Sequence, residues 1–156
     1  MSQIVMDKMY NFKFGQVYHL KTDNEYLADE LIVNNDIFDS KETIIINSLS
    51  KNGKVYLLPT YRDKNKKQLK KAGLHPKTGA CKIDFLKFII DQEIDNYKFI
   101  IFGFAALSFD GVDFLKEYLH SKIKGKEKIG VLVDYQPNCT KPCLIIKPKI
   151  RDVGSS

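Results

Sequence analysis

Arginine is nearly missing from this chain: of 25 basic residues only Arg62 and Arg151 carry a guanidinium. Lysine lacks the planar fork that grips guanine or phosphate through two hydrogen bonds, so base-sequence readout is disfavoured despite a net charge of +6. Cysteine is scarce as well. Cys81, Cys139 and Cys143 leave an odd count, and the Cys139-x3-Cys143 spacing has no second pair to complete a zinc site. These cysteines therefore read as reduced and structural, with no metal bound, and the sequon at Asn138 as unused. No apolar run approaches the ~20 residues that span a bilayer. Residues 1–8 also lack the basic start and apolar centre of a signal peptide, so the expectation is no membrane and a cytoplasmic location, in a cell or an infected host. A phosphate-cradling glycine loop, a nucleophile elbow and a dinucleotide fingerprint are all absent, and Gly103-Phe104-Ala105-Ala106 is too poor in glycine to replace them. No cofactor is implied, and the chain reads as a non-enzymatic protein.

What the chain does have is Lys, Ile, Asn, Tyr and Phe in quantity, as an AT-rich genome would write. A small adaptor from a phage, a virus or an AT-rich bacterium fits that usage. With 156 residues, 44% of them hydrophobic, the length suits one core and not two. Residues 1–153 are read as one α/β domain and 154–156 as a disordered tail or cloning remnant.

The organising stretch runs from 97 to 135. An apolar run from Phe99 to Leu107 precedes an amphipathic segment carrying Val112, Leu115, Leu119 and Ile123 at steps of three and four. A second apolar run, Ile129 to Val133, follows. Strand, helix, strand is the natural reading, with parallel strands buried on both faces, Asp110 as N-cap and Gly125 as the stop. Upstream, one or two short strands fall in 8–20, and Thr22-Asp23-Asn24-Glu25 matches a capping box opening a helix over 23–33. Asn52-Gly53 between 43–51 and 54–59 signals a β-hairpin, which Pro59 ends or places at an edge. Residues 62–73 suit a short helix, 74–79 a loop, and 82–94 a helix turning Ile83, Leu86, Ile89, Ile90 and Ile94 inward. Leu144-Ile145-Ile146 reads as a last edge strand. The whole is a mixed sheet: an N-terminal hairpin joined to a C-terminal βαβ unit flanked by helices.

Charge is distributed unevenly. Residues 23–42 hold seven acids against Lys41, whereas 62–82 hold Arg62, Lys64, Lys66, Lys67, Lys70, Lys71, Lys77 and Lys82 against Asp63 alone. The leading expectation is a binding protein that engages nucleic-acid phosphates, or an acidic protein surface, through 62–82 without reading sequence. Only Tyr61 and His75 offer rings for stacking there, which weakens a single-strand platform. Opposite charge faces also permit a homo-oligomeric interaction module. The enzymatic alternative rests on Asp110, Asp113 and Asp134. They sit at strand ends, where open parallel sheets bind ligands, and as converging carboxylates they would suit a metal-dependent phosphodiesterase or nuclease. His19 and His75 have no cysteine or histidine close in sequence and read as exposed or locally bonded.

Overall fold

Two unbroken apolar runs form the middle of the molecule. Phe99–Ala105 and Ile129–Tyr135 each contain six buried residues, and they pair in parallel from Phe99↔Ile129 to Ala105↔Tyr135. A strand covered on both faces has no solvent side, which is why neither run alternates. The helix Phe109–Ile123 crosses between them and buries Val112, Leu115, Leu119 and Ile123, the residues its spacing predicts.

The computed structural model describes residues 12–24, 26–34, 37–136 and 145–148. In chain order the elements are β1 (Val17–Thr22), α1 (Leu27–Asn34), β2 (Thr43–Lys51), β3 (Lys54–Leu57), α2 (Pro59–Lys64), α3 (Lys66–Ala72), β4 (Ala80–Cys81), α4 (Phe85–Glu93), β5 (Phe99–Ala105), α5 (Phe109–Ile123), β6 (Ile129–Tyr135) and β7 (Ile145–Pro148). They build one mixed sheet in the order β4-β3-β2-β5-β6-β1-β7. The central strands β2, β5, β6 and β1 are parallel, and β3, β4 and β7 join antiparallel at the two sides. The α/β architecture with a hairpin and a βαβ unit is therefore present. Cys139, Cys143, the sequon and residues 154–156 lie outside the described residues. Among the described residues no helix is long and apolar enough to cross a membrane.

The hairpin turns as Asn-Gly chemistry demands. Asn52 and Gly53 take φ of 51° and 76°, and Lys51 pairs with Lys54 across the turn. Strand β3 stops at Leu57, just before Pro59, but it is no edge strand, since it lies between β4 and β2; Pro59 occupies the start of α2, where its missing N–H costs nothing. The stretch 62–73 is two helices in place of one, because the backbone leaves helical geometry at Asn65 (φ −118°, ψ 26°) before α3 runs to a left-handed Gly73. Strand β4, which the sequence does not announce, then pairs with β3.

Glu25, one half of the expected capping box, lies outside the described residues. Thr22 is drawn into β1, its Oγ1 accepts from the Asn24 amide, and the Asn24 side chain accepts from the Tyr26 amide, so helix α1 starts only at Leu27. Asp110 is not the cap of α5. Ser108, with extended backbone, accepts from the Gly111 amide through Oγ, and Asp110 lies within the first turn.

Alternation in the strands divides the core into two layers. On one face Val17, Ile46, Ile100, Phe102, Phe104 and Leu132 meet Tyr61, Leu69 and the buried sides of α4 and α5. On the other Tyr18, Leu20, Phe99, Ile101, Val131 and Val133 meet Leu27 and Leu31 of α1, with Phe12 and Phe38. Helix α5 approaches β6 closely: a Cβ at Gly130 would fall 2.6 Å from Leu119 Cδ2.

Candidate functional site

The basic segment is anchored from beneath. Tyr61 and Leu69 are buried in the core layer, and the Tyr61 hydroxyl donates to Glu93 Oε2 at 2.8 Å. Burial, then the hydrogen bond and charge of Glu93, raise the Tyr61 phenol above its ordinary pKa. Tyr61 is thus unavailable for stacking on a base, contrary to the sequence reading. His75 is exposed and locally bonded as expected, its Nδ1 accepting from the Lys77 and Thr78 amides.

Above these anchors Lys64, Lys66, Lys67, Lys70, Lys71, Lys77 and Lys82 are all exposed, and none of their side chains is ion-paired among the described residues. Opposite buried Leu69, the four lysines of α3 share an arc of roughly 140° at 3.6 residues per turn. Arg62 is half-buried and its Nε sits 3.5 Å from Asp63 Oδ1, which sets it apart from the lysines. The acidic segment is on the other layer, since Leu27 and Leu31 of α1 belong to the opposite core face. The two meet at a groove beside the first half of β2, where Asp29 and Lys64 both line the wall.

The three aspartates do not gather as one group. Asp113 and Asp134 line one cavity of about 760 Å³, but exposed Asp110, in the first turn of α5, is outside its lining. Among the described residues no three His, Cys, Asp or Glu side chains are placed to hold a metal ion.

That cavity has a feature the sequence reading missed. His19 and Asp134 are each only 5% exposed, and His19 Nε2 lies 3.1 Å from Asp134 Oδ2. Asp134 Oδ1 accepts from Gln136 Nε2 at 2.8 Å, so both carboxylate oxygens are engaged. The parallel register of β1 on β6 places Lys21 opposite Asp134, two residues on from His19, so the odd residues of β1 and the even residues of β6 share a face. The partner of His19 lies 115 positions away, where no local motif could signal it. The cavity stands over the carboxyl ends of β1, β5 and β6. Its helical wall comes from α5, through Phe109, Val112, Asp113 and Lys116. Ala106, at the turn from β5 into α5 and on the cavity wall, takes a left-handed φ of 61°, a strained conformation for a residue with a Cβ.

No protein-family model matches the chain, and no curated protein matches it in sequence.

Proposed function

We propose that this protein is a binding module whose lysine face, carried by α2, α3 and the turns on either side of β4, engages nucleic-acid phosphates without reading base sequence. The observation that supports this reading is the display itself: seven exposed lysines, without ion pairs among the described residues, on elements pinned by Tyr61 and Leu69. An exposed ammonium on a flexible stem is a point charge suited to a phosphate backbone and indifferent to base identity. The scarcity of stackable rings favours backbone contact over base stacking.

Fluorescence anisotropy with labelled duplex and single-stranded oligonucleotides of unrelated sequence tests the reading. Binding should be insensitive to sequence and strongly reduced when Lys66, Lys67, Lys70 and Lys71 are all replaced by Gln. Competition by polyglutamate as effective as that by nucleic acid would reassign the face to acidic protein surfaces. A salt-sensitive dimer in sedimentation, lost in the same variant, would assign it to a second copy of the chain through the acidic α1 side.

A further inference from the structure

We propose that the outer edge of β2 over residues 43–47 is a docking slot for an extended peptide of a partner protein, which adds to the sheet as a strand and sets a basic side chain against Glu93. None of Lys66, Lys67, Lys70 and Lys71 lines this slot.

Strand β2 is only half covered on its outer side. Its neighbour there, β3, pairs with Ser48 to Lys51 and then gives way to α2 at Pro59, whereas residues 43–47 are paired with β5 alone among the described strands. Backbone groups along a strand point alternately to its two sides. The Glu42 carbonyl accepts from Phe99 of β5 and the Asn47 carbonyl accepts from Leu58 on the opposite side, so odd-numbered residues face away from β5. The N–H and C=O of Ile45 therefore point outward, and among the described residues neither has a hydrogen-bond partner. Such groups are a template on which a further strand forms. Natural edges are commonly guarded by a charge or a proline, but Thr43-Ile44-Ile45-Ile46 carries neither.

The space beside this edge spans both faces of the sheet. Helix α2 passes nearby and leaves a cavity of about 560 Å³, walled by Ile32 of α1 from one core layer and by Tyr61, bonded to Glu93, from the other. Ile44 and Ile45 belong to opposite layers and each is only partly buried, so an added strand would extend the cover of both.

The charge of the peptide is argued from Glu93. It is 5% exposed, its Oε2 accepts from the neutral Tyr61 hydroxyl, and among the described residues no cation pairs with it. Carboxylates are seldom buried without a compensating charge, and a lysine or arginine of the incoming strand would supply one. Asp29 and Glu93 outnumber Lys64 on the wall, which favours a cation over an anion. Strand alternation then sets the pattern: a basic residue toward Glu93, flanked by apolar residues toward Ile32 and Ile45.

The probe is the capped pentapeptide Ser-Val-Arg-Val-Ser, with a glutamate-centred version and a version N-methylated at every amide as separate arms, followed by amide NMR shifts, hydrogen exchange and titration calorimetry. In the free protein the Ile45 amide should exchange fast, while those of Ile44 and Ile46, facing β5, are protected. The arginine peptide should shift and protect the Ile45 amide. The N-methylated peptide should not bind, and the glutamate peptide should bind roughly tenfold or more weakly, the cost of one good charged contact. Glu93→Gln should abolish most of the preference for arginine over glutamate. The peptide comparison on unaltered protein stands even if that buried variant fails to fold. Replacing the four α3 lysines by Gln should leave peptide affinity unchanged, which separates the slot from the nucleic-acid face. An Ile45 amide already protected in the free monomer, equal binding of the arginine and glutamate peptides, or no binding of the arginine peptide at millimolar concentration would each overturn the proposal. Protection of Ile45 that appears only on dimerisation would overturn it in favour of a second copy of the chain.

Discussion

His19 Nε2 lies 3.1 Å from Asp134 Oδ2 across the β1–β6 pairing, with both side chains buried. Removing either partner leaves the other buried without its hydrogen bond, at a cost of about 1 to 3 kcal/mol. His19→Ala and Asp134→Ala should therefore each destabilise by that order in urea unfolding. A double-mutant cycle should show a coupling of at least ~0.5 kcal/mol, because residues in direct contact are not additive. Additive losses would mean that the pair is not formed in solution.

Glu93 is a buried acid whose Oε2 accepts from the Tyr61 hydroxyl. Tyr61→Phe keeps the ring in the core and removes that donor, so it should cost about 1 to 3 kcal/mol. Adding Glu93→Gln to Tyr61→Phe should recover part of the loss, since a neutral amide is cheaper to bury than a carboxylate. A Tyr61→Phe variant as stable as wild type would show that Glu93 reaches water.

The cap of α5 separates two side chains that sequence rules treat alike. Ser108→Ala should destabilise by about 0.5 to 2 kcal/mol because the Gly111 amide loses its acceptor. Asp110→Asn should lose only a few tenths from the weaker dipole interaction. The reverse ordering, measured by thermal unfolding, would place the cap at Asp110.

His120 has its pKa lowered, first by burial and then by the charge of Lys124. The unfolded chain then takes up the proton at higher pH than the folded one, so stability rises with pH through this range. The contribution is full above the ordinary histidine value near ~6.5 and is lost as pH falls below it through the folded value. Wild type should lose more stability than His120→Gln between pH 7 and 5. Parallel curves would contradict the shift.

What the sequence made legible was what depends on near neighbours. The runs at 99–105 and 129–135 announced a buried parallel pair, the spacing of Val112, Leu115, Leu119 and Ile123 announced the crossover helix, and Asn52-Gly53 announced the hairpin. Ser108 and Asp110 are equally good caps two residues apart, and only the extended backbone at Ser108 decides between them. Thr22 carries a capping signature, but strand pairing of β1 with β6 claims it first. That same pairing, between segments more than a hundred residues apart, brings His19 to Asp134 and lays β1 between β6 and β7. Hence the lysine segment was visible from composition, whereas the cavity needed the fold.

The salt dependence of nucleic-acid binding is the most direct measure of the lysine face. Each phosphate contact contributes roughly 0.7 to 0.9 to the slope of log affinity against log salt, through counterion release. With Lys66, Lys67, Lys70 and Lys71 replaced by Gln, the slope should flatten by roughly 3 if all four make such contacts, while the fold stays intact. An unchanged slope, or no binding by wild type even at low salt, would contradict the account.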